Sequence, residues 1–164
     1  MNPSLPAQRN ELNTAANSCT VRLADWQDDG WALRAIREAV FIREQGVPAE
    51  LEWDEFDASC VHLIARDASQ NAIGTARLLP HGDFGRMAVL KEWRGKGVGG
   101  ALMHRLLEEA AKRQIQQVAL NAQAYAVGFY ARFGFRVVGK QFIEAGIPHV
   151  RMVLVLAGSP VDQP

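Results

Sequence analysis

The stretch Arg86-Met87-Ala88-Val89-Leu90-Lys91-Glu92-Trp93-Arg94-Gly95-Lys96-Gly97-Val98-Gly99-Gly100 passes from an apolar strand through a basic, glycine-rich loop into a helix. The helix is predicted over Gly97 to Arg113: Val98, Leu102, Leu106 and Ala110 fall on one stripe, and the other face offers Glu108–Lys112 and Glu109–Arg113 as i,i+4 pairs. Three glycines within Arg94 to Gly99 make an anion-binding arrangement. The first N–H groups of a helix have no internal acceptor, the helix dipole adds partial positive charge, and glycine lets phosphate oxygens approach the backbone. Arg94 and Lys96 either add charge-assisted contacts to such an anion or face solvent.

Three ligand readings compete for this loop. A nucleotide P-loop needs Ser or Thr directly after the Gly-Lys pair, and Gly97 stands there instead. Gly95, Gly97 and Gly100 formally spell the dinucleotide fingerprint of an NAD(P) enzyme. The first glycine, however, lies several residues past the strand, and Val118-Ala119-Leu120-Asn121 offers no acid for a ribose hydroxyl. An empty strand-to-helix connection stays open on the loop alone.

Outward from the loop the elements alternate. Thr20 to Leu23 reads as a strand. Asp28 or Asp29 caps a helix with Trp31, Leu33, Ile36, Val40 and Phe41 on its apolar positions, stopped by Gly46 and Pro48. The acidic run Glu50, Glu52, Asp54, Glu55, Asp57 reads as a loop or short helix, solvated in the commoner case. Val61–Arg66 and Ala72–Leu79 form a hairpin around Ser69-Gln70-Asn71, and Phe84–Leu90 follows. Gln117–Gln123 is a strand and Ala126–Phe133 a helix ended by Gly134. Phe135–Glu144 and His149–Leu156 form a hairpin around Gly146-Ile147-Pro148. The order β-α-β-β-β-α-β-α-β-β defines an α/β (α+β) domain with a mixed, mostly antiparallel sheet flanked by helices.

Composition narrows the function. With 164 residues the chain suits one domain, placed at 19–156 between a flexible 1–18 extension and a loose 157–164 tail. Eighteen basic residues balance eighteen acidic ones, which gives no nucleic-acid or membrane-binding surface. Cys19 and Cys60 are too few and too far apart for a disulfide framework or a metal knuckle, so no metal is expected. Residues 1–18 lack the charged-then-apolar pattern of a secretory signal, which makes a cytoplasmic location the expectation.

The pattern Arg94-x-x-Gly97-x-Gly99 after the strand Arg86–Val89 resembles the acetyl-CoA signature of the GNAT superfamily of N-acetyltransferases. The likeness extends through Gln117–Gln123 and Tyr130-Ala131-Arg132-Phe133-Gly134-Phe135, and covers Thr20 to Leu156. The resemblance implies a GNAT-like acyl-CoA N-acyltransferase fold. It also implies acetyl-CoA as acyl donor and direct attack by an amine in a ternary complex, with a small-molecule amine as the partner. Arg94, Gly95, Lys96, Gly97, Val98 and Gly99 would hold the pyrophosphate. Met87, Ala88 and Val89 would line the pantetheine arm beside a strand bulge, with a backbone N–H near Val89 as oxyanion donor. Tyr130 falls at the position of the general acid that protonates the leaving thiolate; the alternative is core packing with Phe129 and Phe133. Asn121 binds the arm or a water, or pairs locally. Glu44, Glu52, Asp54, His62 and His149 are candidates for the base, a water chain is the alternative, and none stands out.

On the acceptor side, Val40–Gln45 and Glu144–His149 resemble a small-molecule branch of the superfamily. Arg37, Phe41, Asp54, Asp57 and Arg77 carry a fainter similarity to acyl-homoserine-lactone synthases, although the Phe41–Asp54 interval is short and the expected tryptophan after the Phe is missing. The plainer reading is that Arg37 and Arg77 pair with those acids. A non-catalytic acetyl-CoA sensor also fits the sequence. The apolar strand Val150–Leu156 serves a homodimer as readily as a core.

Overall fold

The structure is a computed structural model that describes residues 18–156. The 1–17 part of the expected extension and the 157–164 tail lie outside the described residues. In chain order the elements are β1 Cys19–Ala24, α1 Gly30–Arg37, α2 Ala49–Glu52, β2 Val61–Asp67, β3 Ala72–Leu78 and β4 Phe84–Val89. They continue as α3 Val98–Lys112, β5 Gln117–Gln123, α4 Val127–Ala131, β6 Arg136–Glu144 and β7 Ile147–Val155. The predicted order holds: the acidic run takes its short-helix option as α2 with a 3-10 turn at Glu55–Ala58, and further 3-10 turns lie at Lys91–Trp93 and Ala124–Ala126.

The sheet is divided. Strands β1-β2-β3-β4 form one antiparallel sheet and β5-β7-β6 another. Parallel pairing between the two halves is confined to a bridge, Asp83 with Ala119, where the Ala119 N–H donates to Gly82 O at 3.1 Å. Gly82 makes this approach feasible: its φ is +104°, and a Cβ there would stand 2.3 Å from Gln117 O. Beyond that point β4 and β5 part, so the edges of two strands face each other across a gap.

The core packs α3 against the first sheet. Val98, Leu102, Met103, Leu106 and Ala110 meet Leu63, Ile73, Ala76 and Leu78, and the cluster continues through Leu120, Tyr130, Phe135 and Met152. The predicted α3 stripe is therefore the buried one. At about 25 cal/mol per Å², such side chains contribute roughly 1.5–3 kcal/mol each. The opposite face of the sheet carries α1 through Ala32, Leu33 and Ile36. The final strand serves this core: β7 lies between β5 and β6, so both its edges are consumed within the chain.

Several local expectations are corrected. Trp31 is 72% exposed and leaves the α1 stripe to Ala32, Leu33 and Ile36. Asp29 is the N-cap of α1 by position, but its carboxylate turns to Arg22 and the Asp25 N–H rather than to the helix. The helix continues as a π-helical stretch, Glu38–Glu44. The final hairpin turns at Ala145-Gly146, both at positive φ, with Ile147 and Pro148 already in β7. On α3, Glu109 rather than Glu108 collects the cations: Arg105 at 3.0 Å, Lys112 at 3.5 Å, and Arg113.

These ion pairs make the fold acid-sensitive. Arg22 holds the Asp29 carboxyl at about 2. For Asp57 and Glu109 burial works to raise the pKa, but Arg37 and Arg113 respectively outweigh it, and both end below the usual range. A depressed carboxyl stabilises the fold above its unfolded pKa of about 4, and that contribution is lost as pH falls through the folded value. Burial also lowers the His62 pKa, so the unfolded chain takes up that proton first, once pH drops below about 6.5. Thermal unfolding is expected to show a shallow loss of Tm from pH 7 to about 5 and a steep one from about 5 to 2. A flat Tm across the lower window would contradict the ion-pair account.

Candidate active site

The gap between β4 and β5 opens into a cavity of about 570 Å³. Its walls come from β4, β5, the end of the π-helical stretch, the 51–56 segment, Tyr130 and the β6–β7 turn. A second cavity of about 520 Å³ lies at the glycine loop, and both reach Val89 and Arg94. Together they offer an extended ligand one path from the loop into the gap.

The loop is built by backbone conformation. Gly97, the N-cap of α3, has φ +85°, a left-handed conformation that disfavours a side chain, and no side chain caps the helix. Its carbonyl accepts the first helical bond from the Ala101 N–H at 3.0 Å. The Val98, Gly99 and Gly100 N–H groups are those a helix start leaves without an intrahelical acceptor, and the second cavity borders these residues and Gly95. Arg94 is held rather than free: Nε donates to Val89 O at 3.0 Å and the guanidinium meets Glu44 at 2.7 Å. The Lys96 ammonium stands over the Trp93 ring at 5.1 Å. Arg132, which sequence reading did not count, lines the loop cavity with Phe129 and Phe133.

Strand β4 carries the expected bulge. Thr75 pairs with Ala88 but Arg77 pairs with Gly85, so β4 holds one extra residue, and Arg86 adopts φ +47°. Past the bulge the Leu90 N–H donates to Ile73 O. By strand alternation the Val89 N–H points to the opposite edge, across the gap toward β5. Met87, Ala88 and Val89 all line the gap.

Tyr130 sits at the gap, 9% exposed, among Phe84, Phe129 and Phe135. Its hydroxyl reaches Met87 Sδ at 4.0 Å. Burial pushes its pKa up to about 12, so the phenol stays protonated at neutral pH. Asn121 faces the cavity, but its Oδ1 accepts from Arg151 at 3.2 Å, and Arg151 is held by Asp83 at 2.8 Å.

The acidic run is not merely solvated. Arg37, 1% exposed, donates to Glu52 at 2.8 Å and to Asp57 at 2.7 Å; Arg77 grips Asp54 at 2.6 Å and Asp57 at 2.8 Å. Arg86 joins at the bulge, bonding Glu52 and Asp54 at 3.2 and 3.4 Å and the Leu51 and Glu52 carbonyls. The plainer reading of Arg37 and Arg77 is therefore the observed one. The cluster ties the 49–58 segment to β3 and β4, and so shapes the outer cavity wall.

Among the base candidates, Glu52, Asp54 and His149 line the gap cavity. Glu44 pairs with Arg94 instead. His62 is buried away from the cavity, stacked on Trp26, with Nε2 on Asp57 O at 2.8 Å. Asp57, Cys60 and His62 place ligand-type atoms within 4.8 Å of one another. Two guanidiniums already occupy the Asp57 carboxylate, so a cation there would meet their repulsion.

Residues 23–156 match the family model of the GNAT acetyltransferase domain, and the chain belongs to that family. It is 41% identical over 122 residues to the uncharacterized N-acetyltransferase YjcF of Bacillus subtilis, covering 72% of this chain and 86% of that one. The crystal structure of an acyl-CoA N-acyltransferase from Pseudomonas aeruginosa superposes with TM-score 0.74 at 31% identity, over 83% of this chain and 99% of that one. That of Escherichia coli ElaA gives TM-score 0.74 at 28% identity, over 83% and 99%. The fold is accordingly the GNAT acyl-CoA N-acyltransferase fold. No helix among the described residues is long and apolar enough to cross a membrane.

Proposed function

We propose that the chain is an acetyl-CoA-dependent N-acetyltransferase that moves the acetyl group to the amine of a small molecule by direct attack in a ternary complex. The observation that carries this reading is the path from the glycine-capped start of α3 into the β4–β5 gap, ending beside a buried, protonated phenol. In this reading the loop Arg94, Gly95, Lys96, Gly97, Val98 and Gly99 holds the pyrophosphate, chiefly through backbone N–H groups. The Arg94 guanidinium steadies the turn, and Arg132 adds a second charge on the loop cavity. Met87, Ala88 and Val89 guide the pantetheine arm, and Asn121 faces it from β5.

Thioester aminolysis needs a held donor, a polarised carbonyl and proton management. The Val89 N–H, directed across the gap, stabilises the oxyanion. Tyr130 protonates the departing sulfur. The chemistry asks for no metal, and the cytoplasm, where acetyl-CoA and small amines meet, is the proposed place of action.

Two measurements on the intact chain test this. CoA is expected to raise Tm, by RT ln(1 + [L]/Kd), while NAD(P) leaves it unchanged. Thiol release from acetyl-CoA is expected to depend on added primary amine. Stabilisation by CoA without turnover on any amine would favour a sensor, and stabilisation by NAD(P) alone would overturn the reading altogether.

A further inference from the structure

We propose that His149 is the general base that takes the proton from the acceptor amine, an inference that rests on the acetyltransferase reading above. The ring is 7% exposed and lines the gap cavity from β7. Its Nδ1 stands 2.7 Å from Ile147 O. A carbonyl can only accept, so in the neutral ring Nδ1 carries the proton and Nε2 the lone pair. Nε2 lies 3.8 Å from the Glu144 carboxylate, which borders the same cavity and stabilises positive charge arriving on the ring. Phe142 stacks on the imidazole, with centroids 5.9 Å apart and planes 20° from parallel, and fixes its tilt. The other charge nearby on β7, Arg151, is already held by Asp83, and the cross-strand neighbour of His149 on β5 is the neutral Gln123.

The rival carboxylates of the cavity are less suited. Glu52 is bonded by Arg37 and Arg86. Asp54 is bonded by Arg77 and Arg86, and although burial opposes them, these arginines leave it a weaker base than an ordinary aspartate. Asp83 is held by Arg151. Glu144 also borders the cavity with no guanidinium bonded to it, but its side chain is 55% exposed and its ionic partner is the His149 ring itself. His149 combines a buried place on the cavity wall with a lone pair and freedom from a guanidinium.

The step balances without a co-reactant. The amine nitrogen attacks the thioester carbon, a C–N bond forms, and one N–H proton passes to His149 Nε2. The C–S bond breaks, and the sulfur takes the Tyr130 hydroxyl proton. The imidazolium proton then returns through solvent to the tyrosinate, leaving both residues as they began.

The test uses His149→Asn, whose side-chain amide can still donate to Ile147 O but has nothing in place of Nε2, together with His149→Ala. Acetyl-CoA is offered with spermidine, tyramine, benzylamine and kanamycin as basic amines, and with hydroxylamine as a weakly basic one. The CoA-induced rise in Tm is expected to persist in both variants. On a basic amine, kcat is expected to fall by about 100-fold. The loss should be much smaller with hydroxylamine, and added imidazole should restore part of the rate of His149→Ala. A kcat close to that of the parent protein, or equal losses on both kinds of amine with no imidazole rescue, would overturn the inference alone. If His149→Asn fails to take up CoA, His149→Gln is read by the same criteria. No thiol release from the parent protein with any amine would overturn the acetyltransferase reading and this inference with it.

Discussion

Arg37→Met is expected to lower stability by about 3–5 kcal/mol, the usual cost of removing one partner from a buried ion pair. The guanidinium is nearly inaccessible and donates through Nε to Glu52 and through the terminal nitrogens to Asp57 and the Glu52 carbonyl. The Trp53 ring lies against it at 5.0 Å. Methionine fills comparable space, so the loss is mainly of charge and hydrogen bonds and leaves carboxylates out of water with fewer donors. Because Arg77 still reaches Asp57 and Arg86 still reaches Glu52, the lower end of the range is favoured. A fall in Tm of roughly 10 °C corresponds. Arg43→Ala supplies the contrast: its pair with Glu38 is largely solvated, and the change should stay within about 0.5 kcal/mol. A loss for Arg37→Met as small as that for Arg43→Ala would show that the buried cluster contributes no more than a surface pair. Activity should fall as well, since the 49–58 segment loses its tie to α1 while Leu51, Glu52, Asp54 and Phe56 form the cavity wall.

That cluster also marks where sequence reading reached its limit. Helix α3 was legible because burial of a helix face imposes its period on the chain, and Val98, Leu102, Leu106 and Ala110 show it. The Gly97 turn was legible because few residues other than glycine tolerate its φ. The acidic run had no such periodic signal: in the sequence the pairing of Arg37 and Arg77 with its acids is only the plainer alternative to a family likeness, and a solvated loop is the commoner reading. Glu52 and Asp57 are buried by arginines 15 and 20 positions away, and nothing local separates an acid facing water from one facing Arg37. Trp31 failed for the related reason that an apolar residue at helical spacing is not obliged to face the core. The junction of the two half-sheets is equally non-local: they meet where Gly82 approaches Gln117, a contact across 35 positions. At the site, the loop and Tyr130 could be named by their place in a family pattern. Ranking the base candidates required knowing which carboxylates already held an arginine.

Tyr130→Phe is expected to lower kcat by about 100-fold while leaving CoA affinity and Tm almost unchanged. The two rings have the same shape, and the packing against Phe84, Phe129 and Phe135 survives the substitution. The lost hydroxyl contacts Met87 Sδ at 4.0 Å, a weak acceptor at long range, so its removal should alter stability by less than about 0.5 kcal/mol. Catalysis is different, because in the proposed mechanism the hydroxyl supplies the proton that makes the thiolate a viable leaving group. Burial keeps the phenol protonated up to about pH 12, so the donor is in place throughout the neutral range and its loss should be felt equally across it. A separation of kcat from both Tm and CoA affinity is what distinguishes an acid from a packing residue. A purely structural Tyr130 would leave kcat intact in the Phe variant, and the leaving thiolate would then have to draw its proton from water.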